Sequence, residues 1–483
     1  MRTNRLLTSL IGVGQGESVV EQFGGDDRLR PLSVAEAGVA DQADLALRAG
    51  PGGVSVLARG DLDKDAGPAR SFGPPSEPIT ATRYDLQVTG ASDNRIDVWF
   101  VGDGYTEGQL DLLLEDVTKQ WEWMTTEALA EPFAAYADLF NVHVVFAPSA
   151  EAGADRPDEG LYVETAFGAS YSWGGADART LYLDAFAADD AIARVLGDAD
   201  VDLRFGIVND VGYGGAGDAY AVFAAGAERA REIALHEAGH SFAGLGDEYW
   251  EDGSGAFAGT APDAPNLATD PSDVPWAHWI GYDDGVLGPI GAYEGGLYAE
   301  TGIFRPTEDS GMRTLGQPFD AVAREQFVLG FHDAFDPLDA WAFEGEGALV
   351  DVYDPFWATA AGDVVALEWS VDGVVVGTDA MLDIAALDLG PGTFEVALRA
   401  FDDSPYVRQG RDALEQSVVW DLTLNFRAGR GTDADDDFEG TTDADRFDGL
   451  DGADQLAGGD GADLLLGGAG DDVLYGDQMD GLT

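Results

Sequence analysis

Residues 228–250 read ERAREIALHEAGHSFAGLGDEYW, and no Gly or Pro interrupts them before Gly239. Ala227, Ala230, Ile233, Ala234, Ala238 and Phe242 form an apolar stripe of roughly 3.6-residue period, so the stretch predicts one buried helix. Residues four apart on a helix lie one above the other. His236 and His240 therefore present two imidazole nitrogens to one point, with Glu237 beside them. This H-E-x-x-H spacing is a zinc arrangement, in which two neutral imidazoles hold the ion and the carboxylate takes a proton from water acidified by it. The chain has only five histidines, and a pair bracketing a Glu at this spacing is unlike a lone core histidine. A catalytic zinc takes a third protein ligand. Gly244 permits a left-handed helix end and Gly246 a second turn, so the chain can swing Asp247 or Glu248 back to the histidines. Asp247 is the expected ligand. The alternative is that these acids support the histidines by hydrogen bonds or sit solvated in the turn.

A chain of 483 residues is long for one core, so two or three domains are expected. Its 90 acidic against 26 basic residues leave a net charge of −64, a surface that repels phosphate backbones and attracts calcium. Nucleic acid and anionic membrane are thereby poor partners. The absence of Cys excludes disulfides, thiolate sites and a cysteine nucleophile, without excluding secretion, because calcium can do the stapling outside the cell. No apolar run reaches the roughly 18 residues of a membrane span. Residues 1–14 have basic residues before a short apolar run but no clear cleavage site.

Residues 1–80, rich in Gly, Asp, Ala and Pro and poor in periodicity, are expected to be a disordered arm or a propeptide. From Tyr84 the pattern changes. The runs 95–101 (RIDVWFV), 140–146 (FNVHVVF) and 205–208 predict strands, and 109–127 a helix with Leu112, Leu113, Val117, Trp121 and Met124 inward. Strands alternating with helices imply an α/β layer on which the histidine-bearing helix packs. The glycine loop Tyr213–Gly217 lacks a following G-K-[ST], so it reads as a rim loop near that helix and not as a phosphate cradle. Over 337–426 short strands with turn signals, including the hairpin pair Asp372-Gly373, predict an immunoglobulin-like β-sandwich.

Gly102-Asp103-Gly104-Tyr105, Glu131-Pro132-Phe133, the 209–217 stretch, HEAGHSFAGLGDEY, Pro265-Asn266, Trp276 to Ile280, Tyr293-Glu294-Gly295-Gly296, Phe304-Arg305-Pro306 and Met312-Arg313 occur in order over about 84–335. Together they resemble the IgA-peptidase-like zinc metallopeptidases, metallopeptidase family sixty-four, which are metzincin-like. The resemblance implies a mixed α/β catalytic domain over 81–336 that takes a protein or peptide substrate. It implies His236 and His240 as zinc ligands, Glu237 as general base, and Met312 as an apolar floor. Two departures stand out. Gly244 and Asp247 lie eight and eleven residues after His236, one more than the metzincin pattern. Ser310 stands where these proteins often have Cys. The tyrosines 249, 293 and 298 are the candidates to donate to an oxyanion. His278 between Trp276 and Trp279, His143 in an apolar strand and His332 beside Phe331 read as structural.

The final segment, 427–483, is periodic. From Gly431 it divides into GTDADDDFE, GTTDADRFD, GLDGADQLA, GGDGADLLL and GGAGDDVLY. The sixth position is always Asp (436, 445, 454, 463, 472) and the eighth always apolar. This is the calcium-binding nonapeptide repeat of RTX proteins, expected to wind a parallel β-roll with ions in its turns. The first two rows lack Gly at the fourth position, so Asp454, Asp463 and Asp472 are the expected calcium ligands. The tract resembles the tails of proteins exported by bacterial type I secretion systems, which implies an extracellular protein without an N-terminal signal.

The leading expectation is a secreted zinc endopeptidase with Zn2+ and Ca2+ as its ions. The alternatives are a calcium-dependent adhesin on a decayed metallopeptidase scaffold and zinc hydrolysis of a non-peptide bond. Glu237 separates the first two, since a decayed site has no use for a base between intact histidines.

Overall fold

The computed structural model describes residues 78–172, 179–345, 347–387 and 389–476. Before them it gives two antiparallel strand pairs, Val19–Gln22 with Arg30–Ser33 and Leu45–Gly50 with Gly53–Ala58. The expected arm over 1–80 otherwise lies outside the described residues. The chain packs as two compact units. One comprises the chain up to Val88, Asp97–Glu131 and Asn141–Gln326; the other comprises Thr89–Ile96, Pro132–Phe140 and Phe327–Thr483.

The first unit is built on a mixed six-stranded sheet of β1 (Thr82–Gln87), β2 (Ile96–Asp103), β3 (Phe140–Phe146), β4 (Leu203–Val208), β5 (Gly215–Gly217) and β6 (Ala221–Ala224). Its order is β5-β6-β4-β2-β3-β1. β4 runs parallel to β2 and β6, whereas β5 is antiparallel to β6 and β1 to β3. Every residue of β2 and β3 is buried, which is why both read as near-continuous apolar runs. The polar exceptions pair with each other: His143 lies 2.8 Å from Asp97 and 2.7 Å from Asp85 through its two ring nitrogens, the structural role expected of it.

The helix α1 (Leu110–Thr126) buries Leu113, Val117, Trp121 and Met124 at helical spacing. Leu112, read from sequence as inward, is instead 37% exposed, because its neighbour Leu113 takes the core-facing position. Helix α2 (Ala185–Val195) starts at Asp184, whose carboxylate accepts from the Phe186 and Ala187 amides. Helix α3 (Ala230–Ser241) packs beneath β5 and β6, burying Ile233, Ala234, Leu235 and Ala238. The chain then forms the hairpin β7 (Tyr293–Gly296) and β8 (Ala299–Arg305), a tight turn at Ser310–Met312, and α4 (Ala321–His332).

In the second unit, eight strands follow: β9 (Leu338–Trp341), β10 (Ala348–Val350), β11 (Phe356–Ala360), β12 (Val365–Val371), β13 (Val374–Gly377), β14 (Met381–Leu382), β15 (Gly392–Asp402) and β16 (Glu415–Leu424). They form a three-stranded sheet, β9-β11-β14, and a five-stranded one, β10-β16-β15-β12-β13. Phe356 of the smaller sheet packs on Trp369 and Trp420 of the larger, with ring centroids 6.3 and 5.2 Å away. Asp372 (φ 49°) and Gly373 (φ 75°) make the two-residue turn between β12 and β13 that the sequence announced. The last strands, β17 (Arg427–Arg430), β18 (Asp437–Glu439), β19 (Asp445–Asp448), β20 (Gln455–Ala457), β21 (Leu464–Leu466) and β22 (Val473–Tyr475), alternate between two all-parallel sheets, β17-β19-β21 and β18-β20-β22. Among the described residues no helix is long and apolar enough to cross a membrane.

Candidate metal centre and active site

The centre begins with the shape of α3. Gly239 lets Met312 lie directly under the helix, since a Cβ there would come within 2.5 Å of the Met312 sulfur. On the same helix His236 and His240 stand one turn apart, their ring planes at 89° and their Nε2 atoms 3.2 Å from each other. Past Ser241 the chain reverses. Gly244 takes the left-handed conformation (φ 64°) and the Leu245 amide donates to the Gly239 carbonyl at 2.9 Å, so the strand of chain after it returns along the histidine face. Asp247 thereby reaches both rings, its Oδ1 lying 3.2 Å from His236 Nε2 and 3.1 Å from His240 Nε2.

The surroundings decide what these atoms offer. His236 Nδ1 faces the Gly311 carbonyl at 3.0 Å and His240 Nδ1 faces the Leu245 carbonyl at 2.6 Å. A carbonyl only accepts, so each Nδ1 carries its hydrogen and each Nε2 is turned as an acceptor towards the same point. Two such nitrogens and a carboxylate oxygen, all within 4.8 Å of one another, are a donor set that a cation satisfies and that repels itself without one. Nitrogen and oxygen ligands of this kind fit zinc or a neighbouring first-row ion.

Without a metal, a proton takes the cation's place. Burial works against charge on His236, but the hydrogen bond it donates to Asp247 and the charges of Glu237 and Asp247 carry its pKa up to about 9. The counterpart holds for Asp247: burial pushes its carboxyl up, yet the two histidines keep it well below the usual carboxylate range. Glu237 sits on α3 between the ligand positions with its carboxyl pushed up by burial, an effect that the neighbouring histidines partly offset. Its carboxylate lies against β5. A Cβ on Gly215 would stand 2.6 Å from Glu237 Oε1, and one on Gly217 would stand 3.1 Å from Oε2 and 2.5 Å from His240 Cβ. The loop read as a glycine-rich rim is therefore an edge strand that only glycines can lay so close to Glu237.

The two acids after Gly246 part company. Glu248 points away from the histidines and is fully buried, accepting from Asn266 Nδ2 at 2.9 Å and Ser310 Oγ at 2.6 Å. Burial, with the nearby charge of Asp320, pushes its carboxyl up to about 8. Its amide donates to the Met312 carbonyl at 2.9 Å, so Glu248 braces the turn that carries Gly311 and Met312. Ser310 joins the same brace by hydrogen bonding. Asn266 also closes the loop before Asp247, exchanging bonds of 2.8 and 2.9 Å with the Gly246 backbone.

Each of the tyrosines read as oxyanion donors gives its hydroxyl hydrogen to a protein acceptor. Tyr298 donates to Asp247 Oδ2 at 2.7 Å, Tyr249 to Tyr298 at 3.2 Å, and Tyr293 to the Pro289 carbonyl at 2.9 Å. Elsewhere His278 and Trp279 both bond Glu325, at 2.6 and 2.7 Å, and His332 bonds Asp402 at 2.8 Å, so neither histidine joins the centre. Sequence reasoning missed the supporting shell of Gly311, Asn266 and Ser310. The strings holding Asn266 and Met312 were visible, but their partners lie far off in the chain.

In the repeat tract the amides of Asp436, Asp445 and Asp454 donate to Oδ1 of Asp454, Asp463 and Asp472, each 18 residues on, at 2.8, 3.0 and 3.1 Å. Gly452, Gly461 and Gly470 are left-handed or beyond (φ 131°, 132° and 147°), and a Cβ on any of them would collide with a carbonyl of the preceding turn. Asp445 and Asp454 are fully buried, yet Asp445 Oδ1 and Asp454 Oδ2 have no hydrogen-bond partner. An orphaned buried carboxylate oxygen is costly unless a cation meets it, and a hard oxygen suits calcium. Asp445, set aside in the sequence because its row lacks the fourth-position Gly, thus shares with Asp454 a buried carboxylate with one unpaired oxygen.

A helix bearing two histidines around a glutamate, under the edge of a mixed sheet and above a buried methionine, is an arrangement that suits metal-dependent hydrolysis. Residues 84–289 match the family described as IgA Peptidase M64, which indicates a peptidase. Residues 430–465 and 448–478 match the RTX calcium-binding nonapeptide repeat. No curated protein matches the chain. The peptidase match ends before Tyr298, Gly311 and Met312, whose parts in the centre rest on geometry.

Proposed function

We propose that the chain is a secreted zinc endopeptidase whose zinc would be held by His236, His240 and Asp247. The observation that carries this reading is the meeting of two imidazole Nε2 atoms and one carboxylate oxygen within 4.8 Å, beside Glu237. When bound, zinc supplies a Lewis acid and lowers the pKa of water on it from 15.7 to about 7. The Gly311 and Leu245 carbonyls hold both rings in the ligating tautomer. Glu237, pinned under the glycines of β5, takes a proton from the attacking water at its carboxylate and returns it to the leaving amine nitrogen. The three tyrosine hydroxyls each donate to a protein acceptor in this arrangement.

Residues 337–426 are read as an immunoglobulin-like sandwich, supported by the Phe356, Trp369 and Trp420 contact between two sheets, and 427–476 as a parallel β-roll wound on calcium. RTX repeats support an extracellular site reached through a type I secretion system. The test is Glu237→Ala. It is expected to keep zinc by metal analysis while peptide hydrolysis falls by about 10²–10⁴-fold. A variant as active as the parent refutes the mechanism.

A further inference from the structure

The hairpin between β7 and β8 turns at Leu297 and Tyr298, whose φ values are 43° and 64°. Both positions are left-handed, where a hairpin of this kind favours Gly, Asn or Asp, and neither residue is one of these. Three sets of contacts hold the turn in place. The Leu297 amide donates to the Asp247 carbonyl at 2.8 Å, and the Tyr298 amide donates to the Tyr249 carbonyl at 3.0 Å. The Leu297 side chain packs against the cluster of Leu267, Ala299 and Ile303. Above these, the Tyr298 hydroxyl donates to Asp247 Oδ2 at 2.7 Å and receives the Tyr249 hydroxyl at 3.2 Å.

The turn grips Asp247 at its backbone and at one carboxylate oxygen. The other oxygen, Oδ1, is left as the one facing the two histidine nitrogens. Resting on the reading of His236, His240 and Asp247 as the ligand set, we propose that Tyr298 is a positioning residue that makes Asp247 a one-oxygen ligand, with Tyr249 orienting the Tyr298 hydroxyl. A left-handed tyrosine is tolerated at the tip because its ring must stand over Asp247, and a glycine that relieved the backbone would carry no hydroxyl. The phenol occupies Oδ2 with a neutral donor, so the carboxylate neither rotates nor offers its second oxygen to the ion.

The test compares the full-length protein with Tyr298→Phe, Tyr249→Phe and Asp247→Ala. Zinc affinity is measured by competition with a chromophoric chelator, and the visible spectrum is recorded after cobalt(II) replaces zinc. Tyr298→Phe is expected to weaken zinc by about 10–100-fold, the usual cost of losing such a partner, and to change the cobalt bands because Oδ2 is freed. Tyr249→Phe is expected to shift both in the same direction by less, and it reports on the relay if Tyr298→Phe fails to fold. A change in packing alone would leave the cobalt spectrum as it is. Parent-like affinity and spectrum in both Phe variants, with Asp247→Ala still impaired, overturns this proposal and leaves the ligand set standing. Parent-like zinc binding in Asp247→Ala overturns both.

Discussion

At α3 the converging atoms come from positions 236, 240 and 247, and their supports come from 245, 298 and 311. In the repeat tract each aspartate meets its counterpart 18 residues on, through the same bond made three times. The first arrangement is held by a helix, a sheet edge and two turns that are packed in their own right. Its ligands are fixed before any ion arrives. The second has little to hold it. Leu456 is fully buried, but Leu464, Leu466, Val473 and Leu474 are 37–47% exposed, and two carboxylate oxygens lie buried and unpaired. A scaffold that buries so little apolar surface must draw its stability from the cation. On the proposed reading, one region binds its metal because it is folded, whereas the other folds because it binds calcium.

That contrast breaks most visibly under chelation. Withdrawing calcium with a calcium-selective chelator is expected to abolish the β-signal of 427–476 in circular dichroism while zinc stays bound by metal analysis. Withdrawing zinc with a transition-metal chelator is expected to leave the secondary structure of the peptidase domain intact. Retention of the β-signal in calcium-free protein would remove the contrast. A second, smaller effect sharpens the claim that the α3 centre is set by packing. Gly215→Ala places a Cβ 2.6 Å from both Glu237 Oε1 and Ile233 Cγ2, crowding the carboxylate without touching a ligand. Displacements near 1 Å cost about 10²-fold in rate, so kcat is expected to fall by roughly that much with zinc content unchanged. An unaltered kcat would show that Glu237 moves freely under β5.

These regions were also legible to different degrees. The repeat could be read because its contacts recur at a fixed offset, although Asp445 is buried with an unpaired oxygen without Gly at its own fourth position. The helix was legible as far as His240, since i, i+4 geometry is local. What lay beyond it was less so. Asp247 and Glu248 are adjacent acids of similar chemistry, and what separates them is that Asn266 and Ser310 claim Glu248 from 18 and 62 residues away. No periodicity announces such partners. Leu112 and Leu113 present the same difficulty in small, because two leucines in sequence leave the core-facing one to the neighbouring elements. The tyrosines were visible as polar aromatics near the site, but a hydroxyl's acceptor is a tertiary fact, and all three hydroxyls turned out to be engaged.

The smallest effect concerns a single proton. In the metal-free protein His236 titrates near 9, above its ordinary 6.5, because Asp247 and Glu237 outweigh burial. A raised folded-state pKa means that the folded protein binds this proton more tightly than the unfolded chain does. The stability it contributes is complete below about pH 6.5 and is lost as pH rises through about 9. A metal at His236 Nε2 must displace that proton. Adding zinc to metal-free protein in weak buffer at pH 7.5 is therefore expected to release about one proton from this imidazole, and close to none at pH 10. Calcium loading of the repeat supplies the control, since its oxygen ligands have no imidazole proton to give up. Release of no imidazole proton at pH 7.5 would mean that the His236 and Asp247 contact does not hold a proton when the metal is gone.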